Sequence, residues 1–257
     1  MLDPDEESAI AEQFGVAGAQ VRRDHLISHL LAALSAHAAD QVVFFGGTAL
    51  SRTFAPAGRL SEDIDLIAVH GRRTAAEHVA DCLVRGTRRE YPGLRWEPLL
   101  TAVRDTEPAV LISPDGLVVR VQLLSATGYP PWPTAPRALV QRYSDAPPAT
   151  LTVLTQESFV ASKIMAWVDR ASSRDLFDLW LLARADAIDR SAAQLFARYG
   201  QTGKPPTADL FASAPEETRW RQELSGQTRL DITAAEALEV VRSAFSGGRT
   251  SSSRRGT

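Results

Sequence analysis

The sequence contains a single cysteine, Cys82, among its 257 residues. One cysteine cannot form an internal disulfide, and it lacks the partners that a cysteine-rich zinc site needs. No apolar run approaches the roughly 20 residues of a membrane-spanning helix. The first residues are acidic, whereas a signal peptide starts with basic and then apolar residues. We therefore expect a cytoplasmic protein that does not contact a membrane.

Lysine is almost absent, and there is no excess of positive charge. The chain has 28 Lys and Arg against 31 Asp and Glu, which gives a net charge of −3. This balance excludes a globally basic nucleic-acid binder but leaves room for a local basic surface. The only lysines are Lys163 and Lys204. The position of each lysine is therefore informative in a chain that otherwise uses arginine.

The residue pattern changes from mixed to helical along the chain. The first half alternates helical and strand patterns, and the predicted strands include Val42–Phe45, Asp63–Val69 and Leu117–Leu124. Six of the fifteen prolines fall between residues 127 and 150, after which only helical patterns follow. We predict an α/β (α+β) domain at residues 1–145, a helical domain at 146–245 and a disordered tail at 246–257.

Two aspartates are expected to lie side by side on one strand. Asp63 and Asp65 are separated by one residue, and side chains at i and i+2 share a face of a strand. Two adjacent carboxylates repel each other unless a cation lies between them. Mg²⁺ prefers carboxylate oxygens together with substrate phosphates. The pair is therefore a predicted Mg²⁺ site.

A Gly-Gly-Thr turn follows the first predicted strand. Gly46 and Gly47 would let backbone N–H groups approach a phosphate. Thr48 is expected to cap the helix that follows and to help hold the triphosphate of a nucleotide. Ser61 shares the strand face of the two aspartates and is a further candidate for phosphate contact. The alternative is an ordinary turn beside a half-exposed acidic strand. The Gly-Gly-Thr turn and the aspartate pair together favour a nucleotide site. Arg59 is expected either to contact a phosphate or to lie solvated in a loop.

Lys163 lies inside an apolar helical stripe. Phe159 and Trp167 are four residues away on either side, so the stripe would bury an ammonium group. A compact point charge at this position suits a phosphate-binding lysine. The alternative is a lysine whose stem covers the helix edge while its charge reaches water.

The next predicted helix is apolar on most of its circumference but carries acids on one side. Arg174 and Asp178 are four residues apart and are expected to neutralise each other. Asp175 then remains available as a general base or as a partner of Lys163.

These segments resemble the AbiEii/AbiGii-type nucleotidyltransferase toxins, which include the MenT toxins and belong to the polymerase-β-like nucleotidyltransferase superfamily. The matching segments are Gly46–Leu50, Arg59–Leu66, Lys163 and Arg174–Leu179. The resemblance implies a nucleotidyltransferase-fold mixed sheet with flanking helices and a C-terminal helical domain, with the site between the two domains. It also implies a toxin that transfers nucleotides from an NTP to RNA, with the tRNA 3′ end as the expected acceptor, and a winged-helix antitoxin as partner. Lys163 and Asp175 would be catalytic residues together with the two strand aspartates.

One position departs from the superfamily pattern. Such enzymes place a third acid on a later strand to activate the attacking hydroxyl, but the corresponding position here is Gln122. Glutamine cannot act as a base. Either Asp175 or Asp115 or another acid takes that role, or the activity is lost. The rival interpretations are a small-molecule nucleotidyltransferase of the antibiotic-modifying type and a degenerate NTP-binding interaction module.

Two histidines, His25 and His29, lie four residues apart on a predicted helix. This spacing is compatible with zinc, but the sequence shows no HExxH pattern and no further ligand cluster. We interpret them as ordinary surface or boundary histidines.

Overall fold

The computed structural model describes residues 1–247, which form two compact units. The first unit contains residues 1–154 and 226–229, and the second contains residues 155–225 and 230–247. Residues 246 and 247, assigned from sequence to the disordered tail, end the last helix. The rest of that predicted tail, residues 248–257, lies outside the described residues. None of the helices within residues 1–247 is both long enough and apolar enough to cross a membrane.

The first unit is built on a seven-stranded mixed sheet with the strand order β3-β4-β5-β2-β1-β7-β6. Strand β2 runs parallel to β5, and β1 runs parallel to β7, whereas the other neighbours are antiparallel. The predicted mixed α/β sheet is thus confirmed. The elements of this unit are α1 (Pro4–Phe14), α2 (Gly18–His37), β1 (Val42–Phe45), α3 (Gly46–Ser51), β2 (Asp63–Ala68), α4 (Arg72–Gly86), β3 (Arg95–Trp96), β4 (Ala109–Ile112), β5 (Val118–Leu124), β6 (Thr134–Ala138) and β7 (Thr150–Leu154).

The two faces of the central strands differ in chemistry. On β2, Ile64 and Leu66 are fully buried, and both β2 and β5 contact α4. Asp63 and Asp65 alternate with these residues and are half-buried. The alternation places both carboxylates on the sheet face opposite Ile64 and Leu66, as the strand period of two requires.

The proline-rich segment contains a strand that the sequence did not indicate. Strand β6 pairs with β7, and Pro136 stands opposite Thr152 in that ladder. Proline is tolerated here because β6 is an edge strand, so that one row of its N–H groups has no ladder partner to satisfy.

The second unit is helical. Strand β7 lies within the residues 146–245 that the sequence assigned to a helical domain, but it belongs to the sheet of the first unit. The first two helices of the second unit are capped by side chains where they begin: Thr155 accepts a hydrogen bond from Ser158 N, and Ser172 accepts one from Asp175 N. Trp220 is fully buried and donates through Nε1 to the Ile232 carbonyl at 2.9 Å. The helices are α5 (Gln156–Arg170), α6 (Ser173–Arg184), α7 (Arg190–Tyr199), α8 (Glu217–Leu224) and α9 (Ala234–Gly247), with a 3-10 turn at Ala208–Leu210.

Candidate active site

The Gly-Gly-Thr turn leads directly from β1 into α3. The helix begins at Gly46, and its N-cap is Phe45, so the prediction that Thr48 caps it is wrong. Gly46 has φ = +78°, which turns the chain within one residue and starts the helix earlier than the sequence suggests. Thr48 is buried, and its hydroxyl donates to the Asp63 carbonyl. Thr48 therefore ties the turn to the start of β2.

Gly46 lies against the carboxylate of Asp65. A Cβ atom at Gly46 would be less than 3.0 Å from the Oδ2, Cγ and Cβ atoms of Asp65, a separation that real Cβ atoms essentially never show. The strand register gives the same neighbourhood, because Phe45 is paired with Asp65 across β1 and β2. Glycine is therefore required at this position for two reasons, its positive φ and the close approach of a carboxylate.

Gly46→Ala is expected to lower the free energy of unfolding by more than a change at an open glycine does. Gly116→Ala is the matched control, because Gly116 has a similar φ of +88° but a Cβ atom there would meet nothing within 4 Å. Both variants carry the strain of positive φ, roughly 1–2 kcal/mol. Gly46→Ala adds overpacking against Asp65, about 1–3 kcal/mol. Urea unfolding of both variants measures the difference, and equal values would contradict the close approach.

Gly47 lies beside a buried arginine and a buried serine. A Cβ atom at Gly47 would be less than 3.0 Å from Arg59 Nη2 and 3.3 Å from Ser61 Oγ. Arg59 is only 4% exposed, and its Nη1 donates to Gln227 Oε1 at 2.7 Å. The interpretation of Arg59 as a solvated loop residue is therefore wrong. Gln227, which holds this guanidinium, lies 168 positions further along the chain and carries no motif in the sequence.

Asp63 and Asp65 share one face of β2, as predicted. Both are half-buried, and strand β2 holds them two residues apart. Two carboxylates at this spacing, beside a glycine backbone, are the type of oxygen donor set that Mg²⁺ prefers. The residues present therefore fit a divalent cation that also contacts phosphate oxygens.

Gln122 lies at the position that the sequence indicated, next to Asp65. The two residues are paired in the parallel register of β2 and β5, so they lie side by side on the sheet. The Gln122 amide donates through Nε2 to the backbone carbonyl of Asp105 at 3.3 Å. Asp105 belongs to the loop between β3 and β4 and is a residue near the site that the sequence did not indicate. Asp115, a candidate base from the sequence, accepts a hydrogen bond from Ser113 at 2.5 Å within the turn that precedes β5.

A cavity of about 220 Å³ extends the same sheet face beyond Asp65. Ile67 and Val43 line it and are paired across β2 and β1. This pair lies two residues along the strands from the pair of Asp65 with Phe45. Tyr129 also lines the cavity, with its ring centroid 5.4 Å from that of Phe45. Burial, together with the nearby Asp65 charge, raises the pKa of Tyr129 to about 12, so its hydroxyl stays protonated at neutral pH. The cavity offers apolar and aromatic walls beside two carboxylates.

Lys163 is buried in the second unit and makes ion pairs with two carboxylates. Its Nζ lies 2.7 Å from Asp178 Oδ2 and 3.3 Å from Asp175 Oδ1. The predicted pairing of Asp178 with Arg174 is therefore replaced by one with Lys163, because Arg174 is exposed whereas Asp178 is buried. An ammonium in an apolar stripe needs such partners.

Asp175 is surrounded by cationic and hydroxyl donors. Arg170 Nε lies 2.6 Å from Asp175 Oδ2, and the Ser172 hydroxyl donates to the same oxygen at 2.6 Å. Burial alone would raise the pKa of Asp175, but Lys163, Arg170 and Ser172 outweigh it and hold the pKa well below the usual range. A carboxylate held so firmly in its charged form suits the role of partner of Lys163 better than that of general base.

The fold is that of a nucleotidyltransferase. MenT4, a nucleotidyltransferase toxin from Mycobacterium tuberculosis H37Rv, superimposes with a TM-score of 0.68 at 21% identity, over 93% of this chain and 88% of that one. A candidate nucleotidyltransferase from H. pylori gives a TM-score of 0.52 at 14% identity, over 90% of this chain and 95% of that one. A comparison with curated protein sequences finds no match.

The family is established by sequence. The family model described as "Nucleotidyl transferase AbiEii toxin, Type IV TA system" matches residues 29–242. The chain therefore belongs to the AbiEii family of nucleotidyltransferase toxins. The resemblance stated from the sequence motifs is confirmed.

Proposed function

We propose that this AbiEii-family chain is a toxin that transfers nucleotides from an NTP to an RNA acceptor, with the 3′ end of tRNA as the substrate. The observation that carries the proposal is the close approach of the Gly46 backbone to the Asp65 carboxylate. It supports a site in which a nucleotide phosphate meets a glycine turn on one side and carboxylates on the other. The cytoplasm, which supplies both NTP and tRNA, is the proposed location.

Asp63 and Asp65 are the residues that would hold Mg²⁺. When bound, the ion would neutralise negative charge that develops on the phosphate groups during in-line attack. The backbone N–H groups of Gly46 and Gly47 and the Ser61 hydroxyl are proposed to bind the triphosphate. Arg59 adds a positive charge beside Gly47, where it is oriented by Gln227. In this proposal Thr48 contributes by holding the turn to β2 rather than by binding phosphate.

The chemistry of the remaining residues suggests where the nucleobase binds and which side chains act on the acceptor hydroxyl and the phosphates. A planar nucleobase suits the cavity beside Tyr129, because aromatic side chains stack on bases. Gln122 cannot accept the proton of the attacking hydroxyl, and Asp105, whose backbone carbonyl accepts a hydrogen bond from Gln122, is a candidate to do so. Lys163 remains the proposed phosphate-binding lysine, and Asp175 is proposed to orient it.

The family description places AbiEii toxins in type IV toxin–antitoxin systems. We therefore propose a cognate antitoxin as the protein partner of this chain, with the winged-helix type that the sequence resemblance implies. Co-expression with that antitoxin is expected to relieve any growth arrest that the chain causes alone.

An assay with labelled nucleotides tests the proposal. The purified protein is incubated with each α-labelled NTP in turn, together with Mg²⁺ and total RNA, and the products are separated by size. We expect one or more NTPs to label RNA of tRNA size. The label is expected to be absent when EDTA replaces Mg²⁺ or when RNA is omitted.

The other outcomes separate the rival functions. Label in small molecules from a cell extract, and none in RNA, would replace the RNA acceptor with a small-molecule acceptor. NTP binding without transfer to any acceptor would replace the enzyme with a nucleotide-binding interaction module, the interpretation that Gln122 allows.

A further inference from the structure

A second cluster of metal-binding side chains lies in the first unit and shares no residue with the candidate active site. His25 and His29 come from α2, and Asp145 comes from the loop between β6 and β7, 120 positions after His25. Both histidines are buried, so their interpretation as surface or boundary residues is wrong. Residues 24–34 of helix α2 are all buried, so the two histidines lie in the interior with the leucines of this helix.

The three ligand atoms form a triangle of the size that a tetrahedral metal ion requires. The Nε2 atoms of His25 and His29 are 3.3 Å apart, and Asp145 Oδ1 lies 2.9 Å from the first and 3.6 Å from the second. Zinc bonds of about 2.0–2.1 Å at tetrahedral angles place ligand atoms roughly 3.3 Å apart. The three observed distances between the ligand atoms, 2.9, 3.3 and 3.6 Å, lie around this value.

The contacts around the cluster also suit a metal. His25 Nδ1 lies 2.5 Å from the Tyr91 hydroxyl, which would accept a hydrogen bond from Nδ1–H when Nε2 binds a metal.

We propose that His25, His29 and Asp145 form a zinc site that fastens α2 to the loop between β6 and β7. Two imidazole nitrogens and one carboxylate oxygen are a zinc donor set, and they are unsuited to Mg²⁺, which prefers oxygen ligands. Three protein ligands leave a fourth position for water. A cavity of about 250 Å³ is lined by His29 and Glu90. Asp145 Oδ2 also accepts a hydrogen bond from the Met1 amino group at 2.8 Å, which leaves Oδ1 for the metal.

Zinc titration of metal-free protein tests the site. The full chain is treated with a chelator, dialysed and titrated with ZnCl₂ by calorimetry, and thermal unfolding is followed with and without zinc. We expect one zinc per chain and a higher unfolding temperature in its presence. Co²⁺ at the same site is expected to give the visible absorption of a tetrahedral nitrogen and oxygen complex. Excess Mg²⁺ is expected to leave zinc binding unchanged.

Two near-isosteric variants identify the ligands. Asp145→Asn and His29→Gln are each expected to weaken zinc binding at least about tenfold. His78→Gln is the control, because His78 is exposed and lies outside the cluster, and it is expected to bind zinc as the wild type does. Zinc binding that is unaffected by both ligand variants overturns the site. So does wild-type protein that shows neither saturable zinc binding nor a cobalt spectrum, a result that needs no variant to fold.

Discussion

Asp63→Asn and Asp65→Asn are each expected to lower the rate of nucleotide transfer about a thousandfold. Asparagine keeps the size and shape of the side chain but removes the charge that would hold a divalent cation. A catalytic metal stabilises the charge of the transition state by several kcal/mol. Each loss of about 1.4 kcal/mol of this stabilisation lowers the rate tenfold. The measurement is the initial rate of label transfer from the NTP at saturating Mg²⁺ and RNA.

The control for this prediction is Asp40→Asn. Asp40 is exposed, and its carboxylate accepts a hydrogen bond from the neighbouring Gln41 side chain, so its replacement is expected to leave the rate unchanged. Thermal unfolding of all three variants shows whether they remain folded. If Asp65→Asn keeps more than about a tenth of the wild-type rate, the aspartate pair does not carry the metal chemistry.

The part of the site that could be predicted is the part formed by local sequence. Asp63 and Asp65 share a face because a strand has a period of two, and this follows from their spacing alone. Gly46 and Gly47 end a strand that is apolar and β-branched, which marks a turn. Gln122 could be placed because the resemblance to the superfamily indicates a third acid position on a later strand. The two aspartates and the two glycines needed no long-range information, whereas Gln122 needed the resemblance to the superfamily.

The rest of the site depends on contacts between distant segments. The sequence places Arg59 in a loop, and its burial depends on a contact with Gln227. Gln227 belongs to the first unit, although most of the second unit precedes it in the sequence. Asp105 comes close to Gln122 because of the loop between β3 and β4, which has no helical or strand period. Tyr129 lies in the proline-rich segment that the sequence marks only as a boundary. Single-residue patterns carry no signal for such contacts.

The environment of the polar residues of α2 could not be predicted from the sequence for a related reason. A helical period with leucines on one side predicts that the histidines face outward, but this helix is enclosed on almost all sides. Its buried polar groups are satisfied by partners from remote loops. Asp24 is the clearest case, because it is 1% exposed and meets two arginines and a tyrosine from other elements.

These partners connect Asp24 to the candidate active site through α3. Arg52 follows the last residue of α3, is fully buried, and donates through Nη2 to Asp24 Oδ1 at 2.8 Å. Arg142 Nη2 donates to the Ser51 carbonyl at 2.8 Å, and its Nη1 lies 3.5 Å from Asp24 Oδ1. Tyr143 donates to the other oxygen of Asp24 at 3.0 Å. One buried carboxylate therefore anchors the helix that starts at the Gly-Gly turn.

Asp24→Ala is expected to lower the free energy of unfolding by about 3–5 kcal/mol, because it leaves the charge of Arg52 buried without its partner. Burial lowers the pKa of Arg52 to about 10, and the charge of Asp24 opposes that shift, so the guanidinium is charged at neutral pH when Asp24 is present. The control is Asp81→Ala, which breaks the exposed pair of Asp81 with Arg85 and is expected to change stability by less than about 1 kcal/mol. Guanidinium chloride unfolding measures both variants. Because Arg52 also holds the end of α3, nucleotide transfer by Asp24→Ala is expected to fall even at temperatures where the variant is folded. Equal stabilities of Asp24→Ala and Asp81→Ala would show that the buried network does not anchor the turn.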